Sequence, residues 1–205
     1  MRILFISLLV ALVGCRDPAK PAPKAASVAV TAEASIAPLE GALAFPFTQA
    51  DSKLSWVGTK LTGKHEGRFG VFGGIIELVG GDPARSRVRA EIDMTSLATT
   101  PEKLVAHLKS PDFFAVEEYP RATFVSTAIA KAGAGYQVTG HFTMRGFTRA
   151  ITFPATIAVT DAEVTVKAEF SINRKEFGVV YPGKPDDLIA DDVALQLELH
   201  ARKKN

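Results

Sequence analysis

Alternation of apolar and polar residues with a period of two runs through most of this chain, and it restricts those stretches to strands with one buried face. Val88, Ala90, Ile92 and Met94 alternate with Arg87, Arg89, Glu91 and Asp93. Val164, Val166, Ala168, Phe170 and Ile172 alternate with Thr165, Lys167, Glu169 and Ser171, and a last run sets Val193, Leu195, Leu197 and Leu199 against Gln196, Glu198 and His200. Further strands fit Lys53 to Leu61, Gly67 to Leu78, Ala122 to Ala130, Tyr136 to Met144 and Ala150 to Val159. Turn sequences separate them at Gly80-Gly81-Asp82-Pro83, Gly133-Ala134-Gly135 and Pro182-Gly183-Lys184-Pro185. The fold class is therefore all-β, with about eight antiparallel strands. Such a set closes into a barrel that either fills its centre with side chains or holds one small ligand. A two-sheet sandwich competes, but its turns recur every eight to twelve residues or so, and the stretch from Thr99 to Tyr119 breaks that spacing.

That stretch reads as a short helical insertion. Thr99 or Thr100 can cap a helix that starts at Pro101-Glu102, with Leu104, Val105 and Leu108 on one face. The helix runs into paired aromatics and a Tyr-Pro turn, HLKSPDFFAVEEYPRATF from His107 to Phe124. Phe113, Phe114 and Tyr119 placed between strands suggest a plug or lid packed on a sheet or barrel.

The amino terminus points to export. Met1 and Arg2 precede an apolar run from Ile3 to Val13, shorter than the roughly twenty residues needed to cross a bilayer and suited to a signal-peptide core. Leu12-Val13-Gly14-Cys15 resembles a bacterial lipobox, which makes residues 1–14 a lipoprotein signal peptide and Cys15 a lipidation site. Cys15 is the single cysteine, so no internal disulfide can form, and multiple acylation there would hold the protein stably on a membrane. The expected location is the bacterial cell envelope, facing the periplasm, with inner or outer membrane left open. Residues 15–44, rich in Ala, Pro and Lys, form an expected tether with a reach of about 30 Å. Residues 45–203 form one domain, long enough to bury a sizeable core.

Composition and spacing argue against several classes. The net charge of +2 owes much to lysines of the tether and to Arg202-Lys203-Lys204, so no nucleic-acid partner is implied. His65, His107, His141 and His200 show no metal-ligand spacing, and the only cysteine is Cys15. There is no GxSxG elbow or phosphate-binding glycine loop. Asp186, Asp187, Asp191 and Asp192 lack the calcium-loop pattern and read as a solvated turn. No metal, catalytic residue or resident cofactor is expected.

Five blocks together carry a family resemblance: SKLSWVGTKLTGKHEGRFGVFGG (Ser52 to Gly74), EIDMTSLAT (Glu91 to Thr99), the His107 to Phe124 block, GHFTMRGFTRAITFPA (Gly140 to Ala155) and FSINRKEFGVVYPGKPDDLIADDVALQLEL (Phe170 to Leu199). In this order they resemble the YceI-like family of polyisoprenoid-binding, lipocalin-like proteins. The resemblance implies an elongated antiparallel barrel that takes up a long isoprenoid or other lipid tail, without catalysis. The chain departs at Ala115, where an acidic residue commonly follows the paired Phe.

Candidates for lining such a tunnel are Trp56, Phe69, Phe72, Phe113, Phe114, Phe124, Phe142, Phe153, Phe170 and Phe177, although a packed core uses the same residue types. Candidates for a polar head group are Lys60, His65, His107 and Arg174, with structural roles for the histidines the competing explanation. Two functions follow: a membrane-tethered carrier or sequestering protein for an isoprenoid, a quinone tail or a fatty-acid derivative, or an interaction module with a packed, ligand-free barrel. The sequence leaves homodimerisation open. Small Val, Ala and Gly at inward positions favour a cavity.

Overall fold

The structure, a computed structural model, describes residues 21–30 and 37–203. The expected signal peptide and Cys15 lie outside the described residues. Within these, thirteen strands pair antiparallel: β1 (Ala26–Ala29), β2 (Ala42–Thr48), β3 (Lys53–Lys60), β4 (Gly63–Phe69), β5 (Phe72–Val79), β6 (Asp82–Asp93), β7 (Leu97–Thr99), β8 (Arg121–Ala132), β9 (Gly135–Met144), β10 (Phe147–Val159), β11 (Glu163–Asn173), β12 (Gly183–Lys184) and β13 (Asp187–Arg202). Hydrogen bonds join them in the order β2-β5-β6-β8-β9-β10-β11-β13-β3-β4-β7, with β12 on β13 and β1 on β10. The sheet curls until β2 packs beside β13, and in the turn after β2 the Ser52 hydroxyl accepts from the His200 amide (3.0 Å). This is the antiparallel barrel that the alternation predicts and the lipocalin-like form that the resemblance implies, in more strands than the expected eight.

The additional strands have local causes. The single strand expected from Gly67 to Leu78 breaks at Gly70 and Val71, whose amides donate to the carbonyl and hydroxyl of Ser96 (3.1 and 2.9 Å), so β4 and β5 are separate. β2 begins before the expected domain start because Phe45 and Phe47 both face the core, and Pro46 between them is tolerated on a strand that pairs only with β5. β13 starts at Asp187 rather than Val193.

β1 lies inside the expected tether. β10 and β11 pair only from Ala155 and Ala168 toward Val159 and Val164; beyond that they part. Residues 26–29 fill the seam, pairing with Arg149 to Thr152, while the Ala25 amide donates to the Ser171 carbonyl (2.8 Å) and the Ser171 amide to the Pro23 carbonyl (2.9 Å). Unpaired strand edges are the feature that such a short segment can satisfy.

Among the described residues the one α-helix, α1 (Glu102–Lys109), follows β7. Its N-cap is Pro101, without a side-chain hydrogen bond, not a threonine. Thr99 is held in β7 opposite Gly67, and its hydroxyl donates to the Glu66 carbonyl (2.6 Å). After α1 the chain folds back as the expected lid. Phe113, Ala115 and Val116 are buried, and Arg145 donates to the carbonyls of Pro111 and Gly178 (both 2.8 Å), fixing the lid between two loops.

Candidate functional site

The apolar faces of the strands do not meet across the barrel. They enclose a cavity of about 630 Å³, a size typical of small-molecule sites. Val88, Ala90 and Ile92 of β6 and Met94 just after it border the cavity, as do Val193, Leu195, Leu197 and Leu199 of β13, so the alternation placed both walls. A fully packed interior does not describe this barrel.

Trp56, Phe69, Phe72, Phe113, Phe114, Phe124, Phe142, Phe153 and Phe170 all border the cavity. Missing side chains opposite them make the room. A Cβ on Gly67 would sit 2.3 Å from the Trp56 ring and 2.7 Å from the Ala98 carbonyl, so the indole lies flat on a wall thinned by glycine. Gly140 does the same for Phe124, at 2.4 Å. Phe153 stacks on Phe170 with centroids 4.0 Å apart and meets Phe124 at 5.7 Å, which forms a continuous aromatic surface inside. Phe177 is the exception among the aromatic candidates. It is fully buried and packs edge-on behind Phe142 (5.3 Å), in the core and not on the cavity. The glycine-terminated 3-10 turn Arg174–Phe177 points it there.

Polar, solvent-reached lining residues gather at one end of the barrel, which marks the mouth: Thr59, Lys60 and His65 from the β3–β4 hairpin, Lys103 and His107 from α1, and Lys184 and Asp187 beside β12. Lys60 pairs with Asp187, which also accepts from the Thr62 amide (3.1 Å) and hydroxyl (2.9 Å). The hydrogen bond from Lys60, above all, holds the Asp187 carboxyl below its ordinary pKa. His107 stands edge-on between Phe113 (4.9 Å) and Tyr181 (5.0 Å), with Nε2 3.2 Å from Asp112. It therefore ties α1 to the loop across the mouth.

Arg174 borders the cavity but is committed elsewhere. It is only 4% exposed, and its guanidinium donates to the carbonyls of Val179 (2.7 Å), Ala190 (3.0 Å) and Ile189 (3.3 Å). Burial lowers its pKa and Asp191 opposes that. These bonds brace the loop after β11 while the residue remains part of the cavity lining. The acidic residues nearby are engaged one by one: Asp191 with Lys175 (2.9 Å), Asp192 with Lys24 (2.7 Å) and Asp187 as above. Among the described residues no group of three His, Cys, Asp or Glu converges on one point.

Sequence reasoning missed much of the mouth. Pro101, Lys103, Leu104, Tyr181, Lys184, Asp187 and Ile189 border the cavity, and only the turn Pro182-Gly183-Lys184-Pro185 hinted that this segment does more than connect strands.

The family model of the YceI-like domain matches residues 45–201. The chain belongs to the YceI-like family. The matched YceI-like domain opens on Phe45 and closes on Ala201, both fully or nearly fully buried, so its limits are those of the barrel core. A UPF0312 protein of Pseudomonas putida is 30% identical over 153 residues, covering 71% of this chain and 78% of that protein. Protein YceI of Escherichia coli is 36% identical over 89 residues, 43% of this chain and about half (47%) of the relative. Among solved structures, BcnA of Burkholderia cenocepacia is 31% identical and covers 75% of this chain and 98% of its own, with a TM-score of 0.67. A polyisoprenoid binding domain from Saccharophagus degradans shares the fold, with a TM-score of 0.63 at 17% identity over 79% of this chain and 99% of its own.

Proposed function

We propose that this YceI-like chain binds a long apolar lipid, such as an isoprenoid, a quinone tail or a fatty-acid derivative, inside the barrel and does not convert it. The observation that carries this reading is the apolar cavity of about 630 Å³, walled by stacked aromatics and aliphatic strand faces, with its polar groups confined to one end. A chain that enters leaves water along its whole length. Each five-carbon isoprene unit contributes roughly 3 to 4 kcal/mol, so a few units outweigh the loss of freedom on association. Length is then weakly discriminated, and choice falls to the mouth, where Lys60, Lys103, Lys184, His65 and His107 meet the ligand's polar end. The name of the Saccharophagus degradans relative, a polyisoprenoid binding domain, agrees with this chemistry.

In the cell, the lipobox-like Cys15 would hold the barrel at a membrane of the envelope as a carrier or sequestering protein. Trp56 is the only tryptophan and borders the cavity, so its fluorescence reports occupancy. Titration with a prenyl alcohol or a prenylated quinone should change Trp56 emission and saturate at one ligand per chain. Emission that stays unchanged for every long-chain lipid tried would refute the reading.

A further inference from the structure

Resting on that reading, we propose that the mouth end of the barrel is a membrane-docking face that seats on a lipid bilayer, so that a tail passes from bilayer to cavity without crossing water. Large apolar side chains stand out into solvent at this end: Leu61 (71% exposed) at the tip of the β3–β4 hairpin, Val180 (63%) after the Arg174–Phe177 turn, Leu188 (47%) at the start of β13 and Phe147 (45%) at the start of β10. They lie on four separate segments, yet contacts join them into one rim. The Leu61 amide donates to the Leu188 carbonyl (3.1 Å), Leu188 pairs with Gly183, the Ile189 amide donates to Pro182 (3.0 Å), and the Phe147 ring closes on Gly178, two residues before Val180. Their chain neighbours Lys60, Val179, Tyr181, Asp187 and Ile189 border the cavity, so the rim forms one side of its opening, across from α1.

Two features select a bilayer as the occupant. The protruding residues line one side of an apolar opening, and hydrocarbon both accepts separate tips and is continuous with the cavity's own lining, whereas a protein partner would have to cover the opening to bury them. Charges around the rim are also mixed. Lys60 pairs with Asp187 and Lys64 with Glu66 (2.6 Å), while Lys103 and Lys184 stand near Glu102 and Asp186 in sequence. Apolar insertion, not attraction to one sign of charge, is therefore the driving term, and docking should survive on zwitterionic lipid and vary little with salt.

The test uses the chain from Pro21 to Asn205, because the apolar core is built entirely from residues between Ala25 and Ala201 and the expected lipid anchor would mask docking. Phosphatidylcholine vesicles carrying a fluorescent prenyl alcohol are the first source of ligand, and detergent micelles carrying the same lipid are the second. The expected result is co-flotation with vesicles at low and high salt, and uptake from both sources. In L61D/V180D, vesicle flotation and vesicle uptake fall tenfold or more, since removing two buried apolar tips exceeds the roughly 1.4 kcal/mol that one decade represents, while micelle uptake stays unchanged. L61S/V180S should show the same pattern to a smaller degree and guards against misfolding of the charged variant. Uptake from micelles without flotation, or equal vesicle uptake by wild type and both variants, overturns the docking face and leaves the cavity reading standing. Self-association that L61D/V180D abolishes, with no flotation, assigns the rim to a second copy of the chain and also overturns it. Failure to take up lipid from either source refutes the carrier reading, and the docking face with it.

Discussion

Gly67 carries no side chain because Trp56 needs the space. Its Gly67→Ala variant forces a methyl to 2.3 Å from the indole and 2.7 Å from a backbone carbonyl that cannot yield. Overpacking of this kind costs about 1 to 3 kcal/mol, so the denaturation midpoint should drop without a change in m-value. Phe142 presents the opposite case. It borders the cavity with Phe177 behind it, so a larger ring in Phe142→Trp extends into empty volume. The fold should change in stability by less than about 1.5 kcal/mol while prenyl-lipid affinity falls tenfold or more, measured by melting and by displacement of a fluorescent lipid. Aromatic identity was visible in the sequence at both the cavity wall and the core, but the side of the strand behind Phe142 on which Phe177 lies was not. Phe177 sits in a 3-10 turn, where the period-two rule assigns no face.

At the scale of elements, two short segments close the structure. The β3–β4 hairpin is tied to the base of β13 by Asp187, which takes hydrogen bonds from Lys60 and Thr62. Because Asp187 titrates below its ordinary value in the folded chain, its contribution is present above the unfolded pKa of about 3.9 and is lost as pH falls through the lower, folded value. Amide exchange at Thr62 should therefore be flat from pH 5 to 8 after correction for intrinsic rate, and rise only in the acid range below about 4. Asp187→Asn should loosen the hairpin across the flat range from about pH 5 to 8 and abolish the rise in acid. β1 closes the seam between β10 and β11. Removal of residues 21–30 should leave the barrel folded but raise amide exchange at Arg149 to Thr152 and at Ser171, measured by mass spectrometry. Long strands with sustained alternation, such as β6 and β13, were legible down to the residues that face inward. β1 was not, because ASVA becomes a strand only when the parted edges of β10 and β11 are there to pair with it. The break at Gly70-Val71 depended in the same way on Ser96, a partner distant in sequence.

The whole molecule is a barrel whose walls are specified by pattern and whose emptiness is specified by glycine. The curled antiparallel sheet, the helical lid and the YceI-like family were all readable, since each rests on local periodicity or on ordered sequence blocks. The cavity's mouth was readable only in part: Lys60, His65 and His107 were named, but the hairpin after β3, α1 and the loop before β13 that assemble it meet only once the sheet has curled. The central claim is that this space holds a long apolar lipid. The direct measurement is native mass spectrometry of the Pro21 to Asn205 chain expressed in its own host, followed by organic extraction and identification of what is released. The account predicts a one-to-one complex whose extract contains an isoprenoid, quinone or other long-chain lipid; a chain that emerges at its bare mass and takes up no added prenyl lipid would contradict it.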